Sequence, residues 1–264
     1  MEKSNEKASI TKKQQLILTY LFDFPFLTRI HIQKLLHHKN HKLILLWLND
    51  LVVKKYVGKI YTKQHRGNIL PSIYYLTPQG TRFISKQFVE ISHAAKKRIR
   101  EESVSQFTMQ HTFLTADIFL VLRTFAKETI TFLSKRNLPE EIHTITPDAF
   151  FTHKTDEGIK AYFLEVDRET EIKAKMQRKL QRYFEYYHSY SWKKLANEYF
   201  PAILFVSLTE ERTIWLKKMI EHIMNENKYP PLVFKLTTWE KLQKNGCDIP
   251  VCFVPFKKSF YSFL

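Results

Sequence analysis

The chain has 264 residues, 44% of them hydrophobic, with 42 Lys and Arg against 26 Asp and Glu and a formal net charge of +16. That length buries one large core or two ordinary ones, and that hydrophobic share excludes a disordered chain. The polar opening MEKSNEKASITKK has no signal-peptide pattern, and no apolar run reaches the roughly 18 residues of a membrane span.

The first apolar periodicity predicts a helix over 11–22, with Leu16, Ile17, Tyr20 and Leu21 on one face and Pro25 breaking the chain after it. Thr28 is a suitable N-cap for a second helix over 29–36. The polar stretch from His37 to Lys42 then leads into a third helix ending near Lys54. Residues 57–61 and 72–76 read as strands joined through the turn Arg66-Gly67-Asn68, and Thr77-Pro78 opens a further helix. Residues 88–103 read as helical and basic, and 91–106 as a connector. A long helical pattern fills 107–127, a strand follows at 129–133, and 147–153 and 160–167 read as paired strands around Thr155-Asp156-Glu157-Gly158. A helix over 171–190 carries Met176, Leu180, Tyr183, Phe184 and Tyr187 at helical spacing. A buried strand at 202–208, a helix at 210–225 and a strand at 232–236 complete the pattern. Cys247 and Cys252 match no zinc or redox spacing and read as buried thiols, which favours a reducing cytoplasm. Phe253, Phe256, Phe260 and Phe263 suggest a tail packed on the body or a dimer contact.

These elements predict a mixed α+β chain. A winged helix-turn-helix occupies 1–90, and an α/β domain with an αβββαβ core and a C-terminal extension occupies 107–264. Charge separates the halves, since residues 1–100 hold 19 basic and 5 acidic side chains and residues 101–264 hold 23 and 21. Such segregation points to a polyanion for the first half, with double-stranded DNA expected ahead of an acidic membrane surface. In a winged helix the third helix enters the major groove with its N-terminal residues at base edges. Here those are Lys39, Asn40, His41 and Lys42, and Asn suits adenine as Lys suits guanine. Lys59, Lys63, His65 and Arg66 on the wing are expected at phosphates or in the minor groove.

The strongest chemical signal is Asp148 after Pro147 on one strand, with Glu165 and Asp167 ending the next. An apolar core has no use for three carboxylates unless they meet a metal or a cation. Asp148 and Glu165 are expected as oxygen ligands for Mg²⁺ or Mn²⁺, which would activate water and stabilise charge on a phosphate. The PD…ExD pattern on this strand order resembles the PD-(D/E)xK nucleases, which implies a nuclease-like, restriction-endonuclease-like fold for 107–264. Their catalytic Asp and acidic residue fall on Asp148 and Glu165, but their Lys falls on Asp167. Lys175 and Lys179 on the next helix are candidate replacements, and Lys179 completes the expected set Asp148, Glu165, Asp167 and Lys179.

The combination of YxLTxxG closing the hairpin, Gln110-His111, PDAFF, FLEVDRETE, and Lys179-Leu180 with Tyr183 resembles the replication-relaxation family of bacterial plasmids and mobile elements. The resemblance covers most of 11–190. It implies a link to plasmid replication or DNA processing. The Gly usual after EVDR in that family is Glu169 here. Two functions stay open. One is a DNA-binding regulator or accessory factor, with a homodimer and plasmid replication or transfer proteins as expected partners. The other is a metal-dependent endonuclease or nickase.

Overall fold

Threonine caps begin the two helices at the start of the chain. Thr11 and Gln14 form a reciprocal capping box at the first turn of α1 (Lys12–Asp23), and Thr28 does the same with His31 at α2 (Arg29–Leu35). Each box satisfies backbone N–H groups that a helix start leaves without partners. Asn40 caps α3 (His41–Val53). The two residues between Phe26 and α2 form a short strand, β1 (Leu27–Thr28), which the sequence reading leaves as coil. It pairs with β3 (Ile73–Leu76), and β3 pairs with β2 (Val57–Ile60), all antiparallel in the order β1-β3-β2. Ile17, Leu18, Leu21, Ile32, Leu35, Ile44, Leu48 and Leu51 from the three helices are buried together as this unit's core.

The computed structural model describes residues 9–61, 71–87, 105–126, 129–169, 171–196, 199–227, 232–246 and 252–253. The turn at Arg66, most of the basic connector, Cys247 and the Phe-rich tail beyond Phe253 lie outside the described residues.

The LTPQG run that closes the hairpin has a clear packing role. The Thr77 hydroxyl donates to Lys55 O (2.5 Å) and accepts from Gly80 N (3.1 Å), and Gln79 Nε2 donates to Lys54 O (3.1 Å). The start of α4 (Pro78–Gln87) is thereby tied to the end of α3. Gly80 sits so close to that corner that a Cβ there would lie 2.1 Å from Tyr56 O. Backbone approach of this kind requires glycine.

The chain divides into compact units Met1–Ala116 and Asp117–Leu264, and the division falls inside α5 (Gln106–Phe125). The second unit is built on a six-stranded sheet in the order β4-β5-β6-β7-β8-β9. Strands β4 (Ile130–Ser134), β5 (Ala149–Thr155) and β6 (Gly158–Asp167) form an antiparallel meander. Helix α6 (Lys173–His188) then carries the chain to β7 (Ala202–Ser207), which lies parallel to β6. The run α5-β4-β5-β6-α6-β7 has the αβββαβ order that the sequence leads one to expect of the second domain. Helix α7 (Glu210–Asn227), the parallel strand β8 (Phe234–Thr238), helix α8 (Trp239–Asn245) and the short β9 (Cys252–Phe253) extend it. Helix α8 and strand β9 are absent from the sequence reading. Both are short, and neither is long enough to display a period.

Alternation along β6 places Phe163, Glu165 and Asp167 on one face of the sheet. Phe163 packs on Tyr183 of α6 with ring centroids 5.7 Å apart, so this face looks onto α6. Met176, Leu180, Phe184, Ile203, Phe205, Ile220 and Phe234 fill the core around it. The acids at the end of β6 therefore emerge from the best-packed part of the unit.

Candidate functional site

Asp148 stands just before β5, where the strand pairing fixes its backbone: Asp148 N donates to Leu164 O (3.0 Å) and Lys135 N donates to Asp148 O (3.1 Å). Its carboxylate continues the ladder, because Oδ2 accepts from Val166 N at 2.9 Å. Oδ1 lies 3.5 Å from Lys135 Nζ. Asp148 is thus held at the ends of both strands with one oxygen committed to the backbone of β6.

Glu165 is 2% exposed and is gripped by two donors from α6. The Tyr183 hydroxyl donates to Oε1 at 2.7 Å and Lys179 Nζ donates to Oε2 at 2.9 Å. Lys179 and Tyr183 are four positions apart, one helical turn, so a single face of α6 delivers both. Burial pushes the Glu165 carboxyl above its usual range, opposed by Lys179 and by the Tyr183 hydrogen bond. Burial also acts to lower Lys179, but Glu165, Asp148 and Glu171 outweigh it and hold the ammonium above its ordinary value. Lys179 therefore stays protonated. Burial, reinforced by Glu165, likewise raises Tyr183 well above its ordinary value.

Lys179 lies 3.2 Å from Glu171 Oε2, and Lys175 Nζ lies 3.0 Å from Glu171 Oε1. Burial alone would raise Glu171, but the two lysines together lower it. The structure thus brings Asp148, Glu165 and Lys179 together and gives Lys175 a different acid. Asp167 points to another partner. Arg212, in the first turn of α7, donates from Nε to Asp167 Oδ2 at 2.6 Å and from Nη2 to Oδ1 at 3.4 Å. The same Nη2 donates to Glu171 O at 3.0 Å, and the guanidinium lies over the Trp215 ring at 3.9 Å. A fork that grips one carboxylate and stacks on an aromatic ring is a use specific to arginine. Asp167 is a structural anchor to α7 in this arrangement, not a member of the Asp148–Glu165 cluster.

The sequence reading misses Lys135 and Arg212, and it treats Tyr183 mainly as a core residue. A buried Asp167 demands a cation, but nothing in SLTEERTIW says that Arg212 supplies it. Glu169 has φ 64, in the left-handed region. The position where the family resemblance calls for Gly is thus one whose backbone favours glycine, and Glu occupies it at a cost of about 1–2 kcal/mol.

In the first unit, Lys39, Asn40, His41 and Lys42 are all exposed at the start of α3. Asn40 departs from the role read for it. Its Oδ1 accepts from Lys42 N (2.9 Å) and Leu43 N (3.4 Å), and a bidentate contact with adenine needs that same oxygen. Asn40 is the cap of α3, which leaves Lys39, His41 and Lys42 as its outward-facing polar side chains. Lys59 lies on β2 with Nζ 4.6 Å from the Tyr61 ring centroid. Lys63 and Arg66 lie outside the described residues. His111 is half-buried on α5 and belongs to no group of three or more potential metal ligands among the described residues. Among those residues, too, no helix is long and apolar enough to cross a membrane.

Two solved structures of the restriction endonuclease FokI, one of them bound to DNA, are similar to this chain at 14% identity, with TM-scores of 0.32 and 0.31. Each similarity covers 93% of this chain and 46% of the FokI chain, so this chain spans about half the length of those structures. No curated protein matches it. The family model described as replication-relaxation matches residues 18–203, well over half of the sequence, and the chain belongs to that family.

Proposed function

We propose that this chain is a sequence-directed DNA-binding protein of a plasmid or mobile element, a regulator or accessory factor in replication, transfer or transcription. The reading rests on one observation above the others: the exposed first turn of α3, where Lys39, His41 and Lys42 surround a helix N-terminus. The order α1-β1-α2-α3-β2-β3 is that of a winged helix, whose third helix presents this turn to the major groove. Few described acids oppose the charge around it. Among the described residues of the first unit the only acids are Asp23 and Asp50, and Asp50 is bound by Lys54 (2.7 Å) and Gln14 (2.5 Å). Lys59 on β2, with Lys63 and Arg66, serves as backbone contact. Binding that neutralises about six phosphates weakens with salt at a log–log slope of roughly −5. Titration of a labelled duplex across a salt series tests this, and a slope near zero contradicts it. A homodimer and replication or transfer proteins are the partners this role calls for.

A second reading, a divalent-metal-dependent endonuclease or nickase, is favoured by the arrival of Lys179 at Glu165 beside Asp148. Among the described residues no group of three or more His, Cys, Asp or Glu is placed to hold a metal. Mg²⁺ needs fewer protein ligands, since one or two carboxylates suffice when water and phosphate oxygens complete the shell. Asp148 and Glu165 fit as that pair, and Mg²⁺ or Mn²⁺ bound there would supply Lewis acidity and an activated water. Tyr183 keeps Glu165 in place by its hydroxyl. Lys179, protonated throughout, acts as a fixed cation for phosphate charge and not as a base. Incubation of supercoiled and linear plasmid with either metal separates the readings. Nicking by wild type but not by Asp148→Ala or Glu165→Ala establishes the enzyme. Retained DNA binding without cleavage favours the accessory role.

A further inference from the structure

We infer that the second unit carries its own contact for the DNA backbone, a basic stripe on α6 formed by Lys175, Arg178 and Arg182. The inference rests on the DNA-binding reading and adds a second surface to it. Steps of three and four residues put these side chains on one face, with about 10 Å between the ends along the axis. All three are exposed, and Lys179 on the edge of the same stripe turns inward to Glu165.

The charge of Arg178 and Arg182 on this stripe is not required by the fold. Each acid of the neighbouring cluster already has a cation: Asp148 has Lys135 (3.5 Å), Glu165 has Lys179 (2.9 Å), Asp167 has Arg212 (2.6 Å) and Glu171 has Lys175 (3.0 Å). Arg178 and Arg182 are paired with no carboxylate among the described residues. Their Nε groups instead donate to the helix carbonyls of Ala174 (3.3 Å) and Arg178 (3.4 Å). The surplus is also local. α6 carries five cations and one acid, whereas α7 carries three cations and four acids. Residues 101–264 as a whole are nearly balanced, with 23 basic and 21 acidic side chains. A general solubility bias would spread evenly over the exposed helices; this one collects on the helix that leads to the buried carboxylates.

Duplex DNA is the occupant. Arginine forks match phosphate oxygens bidentately, and contacts from one exposed helix face to phosphates position a duplex without reading it. The first unit would select the sequence, and α6 would hold duplex backbone beside the Asp148–Glu165 cluster of its own unit.

The test measures affinity for a labelled duplex across a salt series, using the full chain as wild type, as Arg178→Gln with Arg182→Gln, and as Lys218→Gln with Lys244→Gln. The last variant removes equal charge from α7 and α8. The stripe variant is expected to bind about tenfold more weakly, with a salt slope shallower by about 2, the loss of two phosphate contacts. The control is expected to stay within twofold of wild type, and both variants to keep the wild-type melting temperature. A stripe variant that matches wild type or the control overturns this inference and leaves the α3 reading standing. A wild type that binds no duplex overturns both.

Discussion

In the first unit Lys39, His41 and Lys42 stand in water at the start of a helix, with two acids in the whole described region to oppose them. In the second, Asp148, Glu165 and Asp167 are buried, and each meets a cation from another element. Exposed charges contribute little to stability and remain free for a ligand. Buried charges are coupled to the fold, because removing one partner strands the other out of water. The contrast implies that substitutions at the first turn of α3 change binding at constant stability, and that substitutions among the buried acids and their cations change stability before they change anything else.

The sharpest way to break this contrast is Arg212→Ala. It leaves the Asp167 carboxylate, 3% exposed as a residue, without its fork, and is expected to cost about 3–5 kcal/mol in urea unfolding. A loss below about 1 kcal/mol would place Asp167 among ordinary surface ion pairs. A smaller effect is expected on acidification. Glu171 sits below its ordinary value of 4.5, so its contribution is complete above that pH and is lost as pH falls through the lower folded value. Wild type should therefore lose melting temperature on acidification below about pH 4.5 faster than Glu171→Gln. Parallel curves would mean that Lys175 and Lys179 do not depend on that charge. The smallest effect is expected from Glu169→Gly, which relieves the left-handed backbone and should raise stability by about 0.5–1 kcal/mol. A loss of stability would show that the Glu169 side chain makes up for the strain.

The sequence makes the helix–hairpin order of the first unit and the αβββαβ core of the second legible, because each long element repeats its period several times. Residues 27–28 and 252–253 are too short for a period to appear, and β1 depends on β3 to exist at all. Within the site, Asp148 and Glu165 stand out as acids in apolar strands, whereas Lys179 is put forward, beside Lys175, only by the resemblance to PD-(D/E)xK nucleases. Arg212 is 45 residues from the carboxylate it holds, and the sequence carries no trace of contacts at that range. Asn40 shows another limit. Composition marks it equally as a base reader and as a helix cap, and only the positions of Lys42 N and Leu43 N decide for the cap.

The most direct measurement compares Lys39→Ala with Lys42→Ala in one double variant against Asp148→Ala, each assayed for duplex affinity at moderate salt and for melting temperature. The lysine variant is expected to lose duplex affinity and keep wild-type melting, while Asp148→Ala is expected to keep duplex affinity. Unchanged affinity in the lysine variant, or a large loss in Asp148→Ala, would contradict the assignment of DNA recognition to the first turn of α3.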